Sequence, residues 1–282
     1  MIAFLGMGLL GSNFVRALRQ KDVPVQVWNR TASKATALET YGAKAFSEVA
    51  AAVAGAQRIH LTLKDDSTVD EVLDKAAPGL QAGAIIIDHT TTSVAGAIER
   101  TQKWQERGFT YLHAPVFMGP QNALESTGSI LVSGDQQVIS EYEPILATMT
   151  GKVLNFGEST GKATGMKLLG NLFLITFTAG LADTLSFAKG LDISLDEINA
   201  LFGTWNPAAM LPARLKRMTS GHYSDPSWEL NMARKDTGIF LEEARKTNTP
   251  LAVIPAIATE MDRWIAKGHG NDDWTVIAKD SI

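Results

Sequence analysis

Between the apolar run IAFLG and the helical pattern that follows it, the chain places Gly6-Met7-Gly8-Leu9-Leu10-Gly11, a G-x-G-x-x-G at a strand-to-helix junction. No other stretch restricts the fold as much, because glycines at this spacing do three separate jobs. One makes a tight turn, one lets the backbone approach a pyrophosphate, and one allows close strand–helix packing, with phosphates at the helix N-terminus. Alone, the pattern also fits an ordinary tight turn. Its strand–turn–helix context at the start of the chain points to a bound dinucleotide.

The rest of the first half repeats the alternation. β-type runs at VQVWN, RIHLTL, AIIIDHT and TYLHAPV are separated by helical patterns, among them about Leu10 to Arg19 and about Ala32 to Tyr41. Apolar runs without strict period-2 polarity indicate a parallel sheet covered by helices on both faces. Thr31 is placed to N-cap the second helix and Gly42 to end it. Beyond about Gly157 the strand signals stop. Helical period then governs GKATGMKLLGNLFLITFTAGLAD, LDISLDEINALF, NPAAMLPARLKRM, WELNMARKDTGIFLEEARK and PAIATEMDRWIAKG. The expectation is a doubly wound α/β domain over residues 1–160 and an all-helical domain over 161–282, joined by one long helix from Gly161 to about Lys189.

Composition narrows the partners. A formal net charge of −4 supplies no basic field for nucleic acid, so none is expected. The absence of cysteine excludes a disulfide framework or a thiolate metal site and is compatible with the cytoplasm. The five histidines show no close metal-ligand spacing, so no metal is expected. The N-terminus lacks a basic n-region and reads as a strand, not a signal peptide. The longest uncharged apolar run, Leu168 to Ala182, is shorter than the ~20 residues of a membrane span. It is therefore expected to be a buried helix of the protein core, with no membrane partner.

Several polar positions are candidates for chemistry. A site for NAD usually ends its second strand with an acid for the ribose 2′-hydroxyl, whereas this chain has Asn29-Arg30-Thr31, with Lys34 one turn on. An arginine, a cap hydroxyl, a helix N-terminus and a lysine suit a 2′-phosphate, so NADP is preferred over NAD, although a solvated basic loop fits too. Leu63-Lys64 and His89-Thr90-Thr91-Thr92-Ser93 fall at C-terminal ends of strands, where ligands sit in open α/β sheets. Hydroxyls there suit a nicotinamide or its ribose, and equally suit capping of the next helix. The segment His113 to Pro120, with Phe117, Met118 and Gly119, reads as a shaped loop. Its backbone N–H groups can hold a carboxylate or carbonyl, and a plain rigid turn fits as well. Lys167 and Asn171, at i and i+4, share one helix face. In apolar surroundings the lysine has a lowered pKa and becomes a usable proton donor; a lysine snorkelling to the helix end is the alternative. Lys235-Asp236 reads by itself as a surface pair.

Taken in order, these features resemble the β-hydroxyacid dehydrogenase family, over nearly the whole chain. Gly6 to Gly11 looks like its N-terminal fingerprint and Asn29-Arg30-Thr31 like its NADP-type loop. Asp88-His89-Thr90-Thr91 resembles the family's D-x-S-T, implying that Thr91 lies near the nicotinamide. Gly165, Lys167 and Asn171 match its G-x-K-x-x-N-N signature, with Gly170 in place of the first asparagine. Lys235-Asp236 matches a K-D whose lysine reaches cofactor and substrate, and Asn271 to Thr275 is similar to the usual D-x-S ending. The resemblance implies a Rossmann-type domain followed by a helical one that pairs into a homodimer. It also implies an NADP-dependent oxidoreductase that interconverts a carbonyl compound and an alcohol, with Lys167 as proton donor and Asn171 beside it. One departure stands out: the family's D-A-P-V-S-G-G loop reads His113-Ala114-Pro115-Val116-Phe117-Met118-Gly119 here. A loop that commonly holds a substrate carboxylate has gained a phenyl and a thioether, which favours a bulkier or less polar carbonyl substrate. Two alternatives are an imine reductase, in which the catalytic lysine is often Asp or Tyr, and a non-catalytic NADP-binding module on the same scaffold.

Overall fold

The computed structural model describes residues 1–281, in two compact units, Met1–Leu172 and the chain from Phe173 onward. The first unit runs β1 (Ile2–Leu5), α1 (Leu9–Gln20), β2 (Val25–Trp28), α2 (Ala32–Thr36), β3 (Lys44–Phe46), α3 (Val49–Val53), β4 (Arg58–Leu61) and α4 (Asp66–Ala76). It continues with β5 (Ile85–Asp88), α5 (Val94–Glu106), β6 (Thr110–His113), β7 (Val116–Phe117), α6 (Pro120–Glu125), β8 (Ser129–Val132), α7 (Gln136–Thr150) and β9 (Lys152–Asn155).

Six strands form one parallel sheet in the order β3-β2-β1-β4-β5-β6. Its switch point lies between β1 and β4, with Ile2 level with both Val25 and Arg58. Alternate residues feed opposite cores. Phe4, Ile85 and Ile87 pack on one face with Phe14 and Leu18, while Leu5, Ile59 and Ile86 pack on the other with Leu73 and Trp104. Burial on both faces is why these strands read as continuous apolar runs.

Three strands were not expected: β3, β8 and β9. β3 and β9 are short and largely polar or exposed, so they lack the apolar signal of the central strands. The helix expected over Ala32 to Tyr41 is α2 followed by a 3₁₀ turn, Ala37–Tyr41, which Gly42 ends at φ 81°. Thr31 has N-cap backbone geometry, but its hydroxyl accepts no cap hydrogen bond. The run TYLHAPV is also divided. β6 ends at His113, and Val116–Phe117 forms β7, antiparallel to β8 in a separate three-stranded sheet, so Phe117 lies in a strand and not in a loop. The interruption falls at Pro115, which has no N–H for a ladder.

Helix α8 (Lys162–Gly190) starts just past residue 160, and the division between units falls inside it, after Leu172. One expectation about it is corrected. The apolar run is not buried in this chain: Leu169, Leu174 and Ile175 are each more than half exposed. The run is also part of a 29-residue helix, which by length and composition alone is long and apolar enough to cross a membrane. Helical period reported the helix correctly but carries no information about what covers it.

The second unit adds α9 (Leu195–Thr204), α10 (Leu211–Thr219), α11 (Leu230–Lys246) and α12 (Ile254–Trp264), and a 3₁₀ segment, Trp274–Ser281. Its core is small, built on Tyr223, Leu230, Met261, Trp264 and Val276. Asp183 accepts from the backbone N–H groups of Ala252, Val253 and Ile254 and so anchors the start of α12 to the second half of α8. Buried Asp273 accepts from Ser227, Thr275 and Arg217 and organises the tail.

Candidate active site

The three fingerprint glycines are needed for three different reasons, each visible in the backbone. Gly6 sits at φ 100°, and a Cβ there would overlap the Thr62 carbonyl oxygen. A Cβ on Gly11 would overlap the Gly6 carbonyl and Thr62 Oγ1, so α1 packs on the loop at backbone distance. Gly8 is the opposite case: nothing lies within 4 Å of a Cβ built there. That open face is at the N-terminus of α1, where Gly8 supplies no side-chain cap and the first N–H groups remain free to meet a phosphate. Residues present here therefore fit a dinucleotide. Asn29 braces the loop, its Oδ1 accepting from Met7 N at 2.9 Å while its Nδ2 donates to the Thr31 carbonyl at 3.0 Å.

Arg30, Thr31 and Lys34 line one groove with Gly6, Gly8 and Asn29, and Leu63 and Lys64 form its opposite wall. Thr68, Glu71, Val72 and Lys75 complete that wall and were missed in the sequence. They recur at i, i+3, i+4 and i+7 along α4, a signal that could have singled them out. The hydrogen bond and charge of Lys75, and the charge of Arg30, hold the Glu71 carboxyl below its usual range. Asp65 and Asp66 serve structure: Asp65 caps α4 by accepting from Thr68 N at 2.9 Å, and Asp66 pairs with Arg100 at 2.6 Å.

An adjoining groove is lined by Leu9, Leu10, Gly11, Leu63, Lys64 and Thr91. The four hydroxyls after β5 separate cleanly there. Thr90 accepts from Leu63 N at 2.9 Å, Thr92 pairs with His113 Nε2 at 3.2 Å, and Ser93 caps α5 by accepting from Gly96 N. Thr91 alone of the four is both exposed and in the groove. His89, at the same strand end, is buried and stacked on His60 with ring centroids 5.2 Å apart. Its Nδ1 lies 2.8 Å from the Ala114 carbonyl, an acceptor only, so Nδ1 carries the proton and Nε2 accepts from His60 Nδ1 at 2.9 Å. Both rings are thereby neutral. Burial pushes His89 down to about 4 and lowers His60 further from its usual value.

The first turns of α8 carry the second half of the candidate site. Thr164 is fixed by His113 Nδ1 at 2.7 Å, and Ala163 N donates to Ser133 Oγ at 2.9 Å. One turn on, Lys167 Nζ donates to Asn171 Oδ1 at 3.1 Å, as their i, i+4 spacing predicts. The ammonium also lies 4.5 Å from the centre of the Phe117 ring. Burial pushes the Lys167 pKa down from its ordinary value. Met118 is half-buried beside Phe117. The Gly119 N–H, one of the loop groups that could hold a carboxylate or carbonyl or serve a plain turn, donates to Asn122 Oδ1 at 2.8 Å at the start of α6. Lys235 lies in α11 of the second unit, largely exposed, with its ammonium 2.9 Å from Asp236. Among the described residues no cluster of His, Asp or Glu could hold a metal ion.

Comparison with known proteins places these features. Residues 1–157 match the model of the NAD binding domain of 6-phosphogluconate dehydrogenase. An uncharacterized oxidoreductase of Shewanella frigidimarina is 30% identical, covering 91% of this chain and 89% of that protein. The chloroplastic glyoxylate/succinic semialdehyde reductase 2 of Arabidopsis thaliana is also 30% identical, covering 96% and 76%. Among solved structures, an imine reductase from Myxococcus stipitatus in complex with NADP+ superimposes with a TM-score of 0.92 over 99% of both chains. At 22% identity that likeness speaks for the fold alone.

Proposed function

The chain belongs to the β-hydroxyacid dehydrogenase family and is an oxidoreductase acting on CH–OH groups, and on that premise we propose that it is an NADP-dependent reductase of a carbonyl compound, with Lys167 as proton donor. The observation that carries the reading is the Lys167–Asn171 pair, a partly desolvated ammonium held by an amide on the face of α8 next to Phe117. NADPH, when bound, supplies the hydride that adds to the carbonyl carbon and leaves as NADP+. Lys167 gives a proton to the carbonyl oxygen as charge builds there, leaving an amine that solvent reprotonates, and the product is an alcohol. A lysine with a lowered pKa gives up that proton more readily near neutrality. Asn171 orients the donor, and Thr91, exposed in the adjoining groove, contacts the cofactor.

NADP is the proposed cofactor because Arg30, Thr31 and Lys34 line the groove where an NAD site places an acid. The substrate is an aldehyde, semialdehyde or 2-oxo acid, with Phe117, Met118 and Gly119 beside it. We propose further that the exposed apolar surface of α8 and the following helices pairs two copies into a homodimer, since patches of that kind mark interfaces.

Turnover of NADPH with short aldehydes, 2-oxo acids and cyclic imines tests the reading. Lys167→Ala should lower kcat on carbonyls about 10²- to 10⁴-fold with NADPH affinity intact. An unchanged kcat removes the lysine from the mechanism. Turnover of cyclic imines alone would make the enzyme an imine reductase, and tight NADPH binding with no turnover would make it a binding module.

A further inference from the structure

A glycine inside a helix weakens it, and is retained where the backbone or a neighbour demands it. Gly170, in the middle of α8, is not in the left-handed region, so the backbone makes no such demand. A neighbour does. A Cβ built on Gly170 would overlap Phe117 Cζ and stand 2.9 Å from Cε1, so the phenyl ring lies directly on the bare Cα. The backbone that carries the ring is fixed. Phe117 is held in β7 opposite Ser129, and the turn behind it is closed by Gly128, at φ 93°, where a Cβ would meet Met118 Cγ at 2.7 Å and the Phe117 carbonyl at 3.0 Å. With the ring so placed, position 170 has no room for a Cβ.

The ring's position also settles what surrounds the proton donor. Its face is 4.5 Å from Lys167 Nζ, within the range of a cation–π contact, and Phe117 is 37% exposed. A phenyl offers no hydrogen-bond donor. The nearby backbone donor, Gly119 N–H, is already taken by Asn122 Oδ1, whose own Nδ2 is engaged by Thr127 Oγ1. A carboxylate arriving at this wall would lose water without gaining a hydrogen bond from the ring or from Gly119.

We propose that Phe117 and Gly170 form a matched specificity pair: the ring seated on Gly170 walls the approach to Lys167 so that the enzyme admits carbonyl compounds with uncharged, apolar substituents and turns away those bearing a carboxylate. The proposal rests on the carbonyl-reductase reading above and narrows its substrates from aldehydes, semialdehydes and 2-oxo acids to those without a carboxylate.

The test is a cycle of Phe117→Ser, Gly170→Asn and the double variant, read by kcat/KM with NADPH on pentanal and on 4-oxobutanoate, two aldehydes of similar size that differ in charge, and by Tm. The wild type should prefer pentanal at least about tenfold, and Phe117→Ser should move the preference at least about tenfold toward 4-oxobutanoate. Gly170→Asn alone should abolish turnover of both and lower Tm, because the new side chain meets the ring. Adding Phe117→Ser should restore both readings. A preference unmoved by Phe117→Ser, or a double variant no better than Gly170→Asn, overturns the proposal. If the wild type reduces neither aldehyde, the carbonyl-reductase reading fails, and the Tm cycle still decides the pairing: recovery of Tm in the double variant supports it, and no recovery refutes it.

Discussion

Ile86 and Ile87, neighbours in β5, are both fully buried, one in each of the two cores that sandwich the parallel sheet of the first unit. In the second unit Ile175 is 68% and Leu195 67% exposed, and the buried cluster around Trp264 and Met261 is small. Each fully buried isoleucine is worth roughly 1.5–3 kcal/mol over an exposed one, so the first unit gains from its apolar residues what the second leaves ungained in a single chain. The difference teaches where each unit's stability comes from. The first encloses its central strands between two cores; the second leaves large apolar side chains outside, on the surface proposed above to pair two copies.

Acid should break this contrast most strongly. His89 and His60 are neutral in the native first unit and have pKa values below those of an unfolded chain, so the unfolded state binds more protons as pH falls. Their contribution is whole above about pH 6.5 and is lost as pH falls from there toward 4, about 3 kcal/mol for His89 from its shift alone. Denaturant midpoints should fall across that window, and hydrogen exchange should rise first in the first unit. Equal loss in both units would show that the two histidines do not govern acid stability. Ile175→Glu, next in size, should weaken self-association about 100-fold in sedimentation experiments, because a carboxylate would be buried against apolar side chains, while NADPH binding stays unchanged. A protein that stays paired, or that runs as a monomer before substitution, refutes the pairing surface. Partition of the wild type into vesicles would assign α8 to a membrane instead. The smallest effect concerns the self-contained groove of the first unit. Arg30→Ala should raise the KM for NADPH about tenfold relative to that for NADH, and equal changes in both would remove Arg30 from the 2′-phosphate.

The same contrast sets what could be read before folding. The central strands announced themselves because burial on both faces leaves unbroken apolar runs such as IAFLG and AIIID. Edge strands β3 and β9 did not, since exposure lets Lys44, Lys152 and Asn155 stand where the signal would be. Lys167 and Asn171 were legible because i, i+4 spacing on a helix is a distance as well as a pattern. Phe117 and Gly170 were visible only as two separate oddities, because their contact is made by tertiary packing that no local pattern records. The partner of the Gly119 N–H was not legible for a related reason: which acceptor claims a backbone N–H depends on the turn of α6 that brings Asn122 back to it. For α8, apolar composition foretold the helix, but it reads the same whether the cover is a core, a second subunit or lipid.

Thr62 lends the glycine loop its floor: its carbonyl lies against Gly6 and its hydroxyl bonds the Gly6 carbonyl at 2.7 Å while filling the space beside Gly11. The fingerprint is therefore not a portable cassette. A fragment ending before Arg58 would carry all three glycines, the arginine and the lysine, and still lack the strand that gives their loop its shape. Grafting the motif into another scaffold would transfer its letters without its geometry unless β4 and Thr62 travelled with it.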